Sequence, residues 1–578
     1  MNRKSLFLIY LVLTVLITSV AFLPAVLASD TVSRAEFATE VSRILSLPVA
    51  SVRVEGDQNT SVTRLEAART VIRALAYENL YPFISPSPIP FPDAAGLGEA
   101  SRRTVILASS LQPPLFTGDA EGNFRPLEAI SQREFSYLKD RLSGYAKGDI
   151  AAEIRTVPQQ GMELLVRKRG VERTPVTPLP QNGVILQAGA FAERDRAERA
   201  AQWLTELGHP ARVIHEDGFH KVHVGPYPAG EVSEVQDRLR SQGFPSVIVS
   251  RGPPTSPDEE GPVFTLAFLF DPRQSTRSAE IALAHNTILE REKTSELARR
   301  LNAYFAINAG FFANDGTPIG LLMIDRHIYR EPHPGWFVAG FAPDGRLTIG
   351  EVRMESELTL PGGEIYSIGG INRSNAGNEL TLFDSFYGPR TPFQDGVETL
   401  LQGGRVIQTG PTGGNTSIPA GGYVLQGKGD AATWMMRNLI PGTNVRLRFA
   451  LYPQSGNIDI WQNARHIISG GPLLYREGRP GPFGSFRPEI TDRRHPRTVL
   501  GITEDGRHLY MVVDGRRAGH SSGLTIPELV RELSRYNVTD ALNLDGGGSV
   551  TFYLEGEILN QPADITGERK VSTVIFIR

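Results

Sequence analysis

Hydrophobic and polar positions follow a helical period in the first region of the chain, residues 31–145. Three segments there carry apolar residues three or four positions apart, the spacing of one helix face. Each opens with a hydroxyl residue followed three positions later by Glu, a capping-box pattern that satisfies N–H groups of a first helical turn. The pattern therefore predicts three capped helices. Their starts are Ser33-Arg34-Ala35-Glu36, Thr63-Arg64-Leu65-Glu66 and Ser131-Gln132-Arg133-Glu134.

A different pattern follows in residues 182–251, where short alternating segments bracket amphipathic ones. The order strand, helix, strand occurs twice. Two such units predict a small ferredoxin-like α+β module whose sheet is covered on one face by two helices. The predicted strands are 184–191, 211–214, 221–224 and 246–249, and the predicted helices are 193–207 and 232–242.

The last region, residues 263–578, consists of short β-branched runs separated by Gly turns, which predicts a large β-rich α+β domain. One helix stands out after Thr525, where Glu528 completes a capping box at the start of an apolar stripe. Strand signals at 508–513 and 540–544 flank this helix. The chain is therefore predicted to be multidomain. Its proline-rich linkers are 171–181 and 252–262.

The N-terminal residues resemble an export signal. Arg3 and Lys4 precede an uncharged, mostly apolar run over 6–23, and small residues follow it. This predicts that residues 1–28 are a cleavable signal peptide. Because the run is longer than usual, an uncleaved N-terminal membrane anchor is the alternative. Both alternatives place the protein outside the cytoplasm.

Composition narrows the classes of function. The 60 basic and 63 acidic residues leave a net charge of −3, which argues against a nucleic-acid-binding protein. Cysteine is absent from the sequence, which excludes disulfides, thiolate zinc sites and a cysteine nucleophile.

Four clusters in the last region place polar residues and glycines at predicted strand ends. Three glycines after Asp545 allow backbone N–H groups to converge on one anion, and nearby arginines match phosphate oxygens. The sequence has neither a Walker loop nor the spacing of a binuclear-metal phosphatase, so we expect phosphate chemistry without a metal or cofactor. The clusters are 306–320, 495–498, 512–523 and 542–549.

The first region resembles S-layer homology (SLH) repeats, a family that attaches exported proteins to cell-wall polymers. The third repeat carries the resemblance, because Phe-Pro-Asp at 91–93 and Phe-Arg-Pro at 124–126 precede its helix in the family's order. The resemblance implies a polymer site surrounded by Arg34, Arg64 and, more loosely, Arg133.

The second region resembles the SPOR domain, a family that binds peptidoglycan glycan strands lacking stem peptides. Its two hallmark segments match residues 187–191 and 222–227. The resemblance implies that the uncovered sheet face binds glycan. Gln187, Phe191 and Tyr227 are the candidates for hydrogen bonding and sugar stacking, with core packing as the alternative for the aromatic residues.

The last region resembles the phosphodiester glycosidase family (N-acetylglucosamine-1-phosphodiester alpha-N-acetylglucosaminidase-like). This implies hydrolysis between the anomeric carbon of a sugar and a phosphodiester, with release of the sugar. Ala309 stands where the family has Gly, so a positive φ there would strain the backbone. The matching segments are Ile307-Asn308, Gly310-Phe311-Phe312, Ser469-Gly470-Gly471-Pro472-Leu473, Pro496-Arg497-Thr498, Asp514-Gly515-Arg516, Asn543 to Ser549, Asn560-Gln561-Pro562 and Glu568-Arg569.

Cleavage of a glycosyl phosphate requires a water molecule or a carboxylate at the anomeric carbon and donors on the departing phosphate. Asp545 and Asp514 are the candidates for nucleophile or general base. Arg497, Arg569 and the amides of 546–548 are the candidates for holding the phosphate. The complete set of candidates is Asp545, Asp514, Arg497, Asn308 and His520 as catalytic residues, and Gly310, Gly471, Gly546, Gly547, Gly548, Ser549, Glu568 and Arg569 as substrate-binding residues.

The remaining polar candidates have supporting roles. Asn308 and Ser549 are expected to orient sugar or phosphate oxygens. Two interpretations of His520 are open, assistance with proton transfer and an exposed loop histidine, and the sequence favours the second. Glu568 is expected to pair with Arg569 or Arg497.

These patterns favour an exported, cell-wall-associated hydrolase that cleaves a sugar-1-phosphodiester bond in envelope glycopolymers. Its partners would be peptidoglycan glycan strands, cell-wall polymers and a phosphate-linked glycan substrate. One alternative is a non-catalytic envelope protein that binds peptidoglycan and a phosphosugar. Another is an exopolysaccharide assembly factor in which glycosyl transfer replaces hydrolysis.

Overall fold

The structure is a computed structural model that describes residues 30–578 except 88, 172–183, 217–218, 229–230, 243, 245–246, 249–260, 457, 482–485, 518 and 565. The predicted leader and most of both predicted linkers lie outside the described residues. Within the described part of the chain, no helix combines the length and apolar character needed to cross a membrane. The chain divides into two units, residues 1–152 with 169–173 and residues 153–168 with 174–578.

The first unit is helical, and its three predicted helix starts are confirmed. Thr63 and Ser131 form complete capping boxes, whereas Ser33 accepts the amide of the third residue without the reciprocal bond. The capped ends satisfy N–H groups that would otherwise lack partners. The helices are α1 (Arg34–Leu45), α2 (Arg64–Ala74), α3 (Glu99–Ser110) and α4 (Gln132–Lys147).

The residues before these three helices form a closed ring of backbone hydrogen bonds. The amide of Val62 donates to Val32 (2.9 Å), that of Ile130 to Val62 (3.0 Å) and that of Val32 to Ile130 (3.1 Å). Side chains repeat the cycle: Arg34 binds Glu66, Arg64 binds Glu134, and Gln132 binds Glu36. The three repeats therefore close on one another.

Two of the predicted polymer-binding arginines differ from the expectation. Arg64 is 3% exposed, and its Nε and Nη2 donate to the carbonyls of Phe124 and Thr117, both at 2.6 Å. Its guanidinium therefore stabilises the interior of the unit by linking α2 to the segment 117–124. In the third repeat Gln132, not Arg133, takes the equivalent position, because it is the first residue of α4 and faces the neighbouring repeat.

The second unit begins with a hairpin of two strands, β1 (Ala151–Thr156) and β2 (Met162–Arg169). The SPOR-like module follows, and its predicted order of strands and helices is confirmed. Its four strands form an antiparallel sheet in the order β4-β5-β3-β6. The elements are β3 (Val184–Phe191), α5 (Arg194–Glu206), β4 (Ala211–Glu216), β5 (Phe219–Tyr227), α6 (Val232–Ser241) and β6 (Val247–Ile248).

The rest of the second unit is β-rich, as predicted. Its first strands are β7 (Val263–Phe270), β8 (Ala279–Leu283), β9 (Glu292–Lys293), β10 (Phe305–Asn308), β11 (Leu322–Ile324), β12 (His327–Arg330), β13 (Phe337–Phe341), β14 (Leu347–Gly350), β15 (Val352–Thr359), β16 (Ile365–Ser367), β17 (Gly370–Ile371), β18 (Leu380–Phe383) and β19 (Phe393–Gln402). Its later strands are β20 (Arg405–Gly414), β21 (Gly422–Gly427), β22 (Arg446–Pro453), β23 (His466–Gly470), β24 (Leu473–Arg476), β25 (Arg479–Pro480), β26 (Arg497–Thr503), β27 (His508–Val513), β28 (Val538–Asn543), β29 (Phe552–Leu554), β30 (Glu557–Ile558), β31 (Lys570–Val571) and β32 (Thr573–Ile577). The helices are α7 (Thr294–Arg300), α8 (Asp430–Asn438), α9 (Ile458–Gln462), α10 (Pro488–Thr491) and α11 (Ile526–Leu533).

These strands form several sheets, of which two carry the candidate site. The first has eight strands in the order β1-β2-β7-β27-β26-β28-β24-β25, and the second has five in the order β30-β29-β10-β32-β8. The hairpin that precedes the SPOR-like module therefore belongs to the larger sheet, which extends beyond the predicted range 263–578. The remaining sheets are β12-β11-β23-β13-β14, β16-β15-β22, β17-β18-β21-β19-β20 and β31-β9.

The central strands of the eight-stranded sheet are buried on both faces. Phe268 and Tyr510 on one face contact Phe305 of the five-stranded sheet, with ring centroids 4.5 and 5.2 Å apart. The other face packs against α11, whose Leu529 and Leu533 are fully buried. The predicted capping box of α11 and its flanking strands are confirmed. Two covered faces hold the central strands rigidly, so the loops at their ends have fixed positions.

Candidate active site

Loops from three neighbouring strands emerge at one edge of the eight-stranded sheet. Arg497, the first residue of β26, pairs with Val513, the last residue of β27, so Asp514 begins a loop beside it. Strand β28 is antiparallel to β26 and ends at Asn543, so Asp545 emerges at the same edge. The antiparallel order thus brings together residues that are distant in the sequence.

Asn308 joins the second sheet to this edge. It ends β10 and is fully buried. Its Nδ2 donates to the carbonyl of Asp545 (2.6 Å), and its Oδ1 accepts the Thr498 hydroxyl (2.8 Å) and the Thr551 amide (3.2 Å). These bonds commit the side chain to the protein, so Asn308 positions the Asp545 loop. The backbone of Ala309 avoids the positive-φ region, so alanine fits there without strain.

The surroundings of Asp545 raise the pKa of its carboxyl towards neutral pH. Its residue keeps partial solvent access, yet removal of water by the surrounding protein raises the pKa of its carboxyl to about 6. The Ser549 hydroxyl, the Gly546 amide and the charges of Arg569 and Arg516 act in the opposite direction and favour the carboxylate. The group can therefore exchange a proton at physiological pH.

The expectation that the backbone amides of residues 546–548 converge on one anion is corrected for two of the three. The amide of Gly546 interacts with the Asp545 carboxylate, and the amide of Gly547 donates to the carbonyl of Pro496 at 3.0 Å. Gly547 has φ +64°, which explains the glycine there. These two amides stabilise the loop and do not converge on a shared anion.

Two guanidinium groups lie near Asp545 and are held by other side chains. Arg569 forms a two-point ion pair with Asp564 (2.7 and 2.9 Å), packed where a side chain on Gly548 would stand. Arg516 donates from Nη2 to Nδ1 of His495 at 2.7 Å. Burial lowers the pKa of His495 to about 4, which keeps this ring neutral and able to accept. Both cations are therefore pre-oriented.

Arg497 does not present its guanidinium in the expected way. Its Nε donates to the carbonyl of Leu524 (2.8 Å), and its Nη2 donates to those of Ile490 (2.7 Å) and Arg493 (2.9 Å). Burial, followed by the charge of Arg516, lowers the pKa of Arg497 to about 9. The expectation of a phosphate-binding Arg497 is thus corrected, because the carbonyls of three loop residues engage its Nε and Nη2 donors and fix the guanidinium inside the protein.

Asp514 is the centre of a buried network. Its Oδ2 accepts from Nε2 of His520 (2.7 Å) and from the amide of Gln561 (2.8 Å), and its Oδ1 accepts from Nδ2 of Asn560 (2.9 Å). His520 is 5% exposed and packs on the ring of Phe264, so the alternative of an exposed loop histidine is wrong. Asp514 and His520 form a dyad beneath the surface.

A lysine from the upstream hairpin completes this network. Lys168 of β2 is fully buried, donates to the carbonyl of Gly519 (3.3 Å) and interacts electrostatically with Asp514. Burial lowers the pKa of Lys168 to about 7. The adjacent Arg167 forms a buried ion pair with Glu532 of α11 at 2.5 Å. The hairpin thus contributes buried charges to the core under the candidate site.

Glu568 has a different partner from the expected arginines. Its carboxylate accepts the amide (2.7 Å) and hydroxyl (2.5 Å) of Ser295 in the first turn of α7. Burial raises the pKa of Glu568. The expected pairing with Arg569 or Arg497 is corrected, because Glu568 serves a helix terminus whose N–H groups need acceptors.

The two remaining candidate glycines adjoin an aromatic cluster. The amide of Gly310 donates to Oγ1 of Thr573 (3.1 Å), and the amide of Gly471 donates to the carbonyl of Asn543 (2.7 Å). A side chain on Gly471 would collide with the ring of Phe486. The aromatic cluster consists of Phe311, His333, Trp336 and Phe486.

The candidate residues of the SPOR-like module fall into two groups. Phe191 and Tyr227 pack partly against the core under the two helices, and the Tyr227 hydroxyl contacts Nδ1 of His209 at 2.9 Å. Gln187 lies between Leu186 and Ala188, which belong to that core, so the alternation of β3 directs it to the uncovered face. Of the three, Gln187 is therefore the best placed for glycan.

Sequence reasoning missed residues whose role depends on distant partners. Arg516 and His495 stood inside the four clusters, but no local pattern indicated that they bind each other. Nothing marked Lys168, whose carbonyl partner is 351 residues away in sequence. In the described part of the chain, no three His, Asp or Glu side chains gather closely enough to hold a metal ion.

Comparisons with known proteins identify two regions of the chain. Residues 395–578 match the family model of the phosphodiester glycosidase, and residues 180–250 match that of the SPOR domain. The chain thus contains a SPOR domain and a region similar to phosphodiester glycosidases within a large β-rich domain.

Relatives with curated names match over short segments. N-acetylglucosamine-1-phosphodiester alpha-N-acetylglucosaminidase of Bos taurus is 34% identical over 103 residues, 17% of this chain and 18% of the bovine protein. The Mus musculus protein of the same name is 34% identical over 100 residues, 16% of this chain and 19% of its own. The chain therefore matches less than a fifth of the length of these relatives.

A solved structure extends the likeness in fold. The structure of an exported protein from Burkholderia pseudomallei K96243 covers 74% of this chain and 96% of its own, with a TM-score of 0.53 and 20% identity. At this identity the match concerns the fold alone.

Replacement of the buried lysine tests the contribution of the hairpin. We expect Lys168→Met in the full chain to lower the Tm by several degrees, because the Gly519 carbonyl loses its donor and the buried Asp514 a neighbouring cation. Since burial lowers the pKa of Lys168, the ionised lysine costs stability, and the difference in Tm should shrink as pH falls towards 7. Differential scanning calorimetry measures this. Arg155→Met, which changes an exposed cation of the same hairpin, is the matched control. Equal Tm values for the two variants would show that Asp514 does not need Lys168.

Proposed function

We propose that the chain is a hydrolase that cleaves the bond between a sugar's anomeric carbon and a phosphodiester in envelope glycopolymers. The observation that carries the proposal is Asp545, a carboxyl with a pKa of about 6 at a rigid strand end, flanked by two oriented guanidinium groups. The similarity of residues 395–578 to phosphodiester glycosidases supports this reaction class.

In this proposal the phosphate binds between Arg516 and Arg569. Each guanidinium is already fixed by a partner side chain, so little reorganisation is required when charge develops on the departing phosphate. Ser549 is buried beside Asp545, and its hydroxyl favours the ionised form of that carboxyl. Arg497 supports this arrangement indirectly by holding the 490–497 loop.

Asp545 acts on the sugar side. As a general base it takes a proton from water while the water oxygen bonds to the anomeric carbon and the carbon–oxygen bond to phosphate breaks. The phosphodiester leaves with the bonding electron pair and needs little protonation, because it is already a good leaving group. Direct attack by Asp545 through a covalent intermediate is the other form of the mechanism. Asp514 is saturated by its partners and has a positioning role.

Wall attachment is the second part of the proposal. The SPOR domain supports binding to peptidoglycan glycan strands, and the repeat ring of the first unit is consistent with the SLH-like attachment inferred from its sequence. Both support a location outside the cytoplasm. The substrate would then be a phosphate-linked polymer in the same envelope layer.

Asp545→Asn tests the chemistry in the full chain. We expect turnover of a GlcNAc-1-phosphodiester to fall about 1,000-fold, because the amide cannot accept a proton or attack carbon. Release of free sugar is the measurement, with an unphosphorylated glycoside as the second substrate and EDTA as the metal test. Asp540→Asn, on the strand β28 that leads to Asp545, is the matched control.

The outcomes separate the alternatives. Substrate binding without turnover by the unmodified chain would favour a non-catalytic phosphosugar-binding protein. Full activity in folded Asp545→Asn would remove this residue from the mechanism. Loss of activity in EDTA would show that a metal takes part.

The raised pKa of Asp545 predicts two pH effects. The kcat/KM should rise with pH and reach half its maximum near pH 6, because the ionised carboxylate is the active form. The folded-state pKa lies above the ordinary value of 3.8, so the fold favours the protonated group, and stability falls as pH rises between these two values. Asp545→Asn should remove this fall, as Tm measurements against pH would show. A pH-rate profile that is flat through pH 6 contradicts the assignment.

Glycan binding by the SPOR domain predicts retention on peptidoglycan. We expect the full chain to sediment with amidase-treated peptidoglycan, whose strands lack stem peptides, and Gln187→Ala to weaken this retention because a polar contact on the open sheet face is lost. Gln202→Ala on the helix-covered side is the matched control, since Gln202 is exposed and pairs with Glu206. Equal retention of both variants would move the glycan site away from Gln187.

A further inference from the structure

A cavity of about 390 Å³ lies beside the aromatic cluster. It is bounded by the 331–336 loop between β12 and β13, by the start of β15 and by the residue that follows β22. Its volume lies within the range of small-ligand pockets. The residues that define its chemistry are Glu331, Trp336, Glu351, Arg353, Gly369 and Gln454.

The acidic groups of the cavity are fixed by the protein. Glu331 binds Nε of Arg373 through Oε1 (2.5 Å) and accepts the amide of Ile371 through Oε2 (2.9 Å). Glu351 accepts Nε2 of Gln454 at 2.9 Å. Each carboxylate keeps lone pairs for hydroxyl donors. Two carboxylates disfavour a phosphate in the same space, since like charges repel.

The arginine that lines the cavity, Arg353, already has partners within the protein. Arg353 pairs with Glu355 at 2.6 Å, and its guanidinium lies 4.5 Å from the ring centre of Tyr452. The cavity therefore combines hydroxyl acceptors with an aromatic side chain, Trp336, whose ring has an apolar face. That combination suits a neutral sugar ring, which carries hydroxyl donors and apolar C–H faces.

The aromatic cluster connects this cavity with the candidate active site. The ring of Trp336 lies 5.2 Å from that of Phe311 and 5.7 Å from that of Phe486, between centroids. Phe311 lies two residues after Ala309, whose carbonyl accepts the amide of Asp545. Phe486 covers Gly471, which bonds to the end of β28. Phe311 and Phe486 thus link Trp336 to the loops that hold Asp545.

We propose that this cavity is a subsite for a neutral sugar residue of the glycan polymer, adjacent to the residue whose phosphodiester bond is cleaved. The proposal rests on the proposed function for the position of the bond, but the binding of neutral saccharide can be measured without turnover. The arginine pair near Asp545 would bind the phosphate, and the cavity would bind the neighbouring sugar. The polymer would then be recognised by one site for an anion and one site for a neutral ring.

Calorimetric titration of the full chain tests the subsite by binding. The probes are the disaccharide of β-1,4-linked N-acetylglucosamine and, separately, inorganic phosphate. We expect Trp336→Ala and Gln454→Ala each to weaken the disaccharide affinity about tenfold, the change that corresponds to about 1.4 kcal/mol of lost contact. Trp434→Ala is the matched control, because Trp434 stacks on Tyr366 at 4.2 Å outside the cavity. Unchanged disaccharide affinity in both cavity variants, or phosphate competing with disaccharide at this cavity, would overturn the proposal.

Kinetics provide the second readout. For two substrates with the same GlcNAc-1-phosphodiester bond, one small and one extended by further sugars, Trp336→Ala should lower the ratio of extended to small kcat/KM about tenfold. An unchanged ratio contradicts the subsite. If the chain binds disaccharide through Trp336 but cleaves neither substrate, the proposed function fails and the subsite stands. If both substrates are cleaved and Trp336→Ala affects neither binding nor the ratio, the subsite alone fails.

Discussion

The hydrogen bonds of one buried amide, that of Asn308, determine the geometry of the candidate site. They connect the end of a strand in one sheet with Thr498 in the other sheet and with Asp545 in the loop that follows a strand of that sheet. An amide buried in this way costs free energy unless its donors and acceptor are satisfied, so both sheets must adopt the positions that complete it. The Asp545 loop consequently has little freedom, although a loop at a strand end would otherwise be mobile.

The sequence offers Asp514 and Asp545 for the same catalytic role, but their environments give the two carboxyls different properties. Asp514 receives three hydrogen bonds and lies near Lys168, so its charge is balanced within the core. Asp545 keeps partial access to solvent, and loss of water raises its pKa to about 6. One carboxylate therefore stabilises the structure, while the other retains a proton equilibrium that chemistry can use.

Arginines show the same division between support and recognition. Arg64 and Arg497 are almost fully buried, and both donate to main-chain carbonyls of loops that are distant in sequence. Arg516 and Arg569 are held by side chains close to Asp545. A guanidinium has five donors in a planar fork, which suits either task. The residue type alone does not show which task applies.

Local patterns determined the elements of this protein. Capping boxes at Thr63, Ser131 and Thr525, the strand–helix order of the SPOR domain and the glycine-rich end of β28 follow from interactions within a few residues, so the sequence is sufficient to predict them. The tertiary structure alone decided which polar groups are bonded within the protein. The hydrogen bonds of a polar side chain are formed with the groups that folding brings next to it. For Lys168 that group is the carbonyl of Gly519, 351 residues away in the sequence. Such pairings depend on sheet order, which no short segment of the chain encodes.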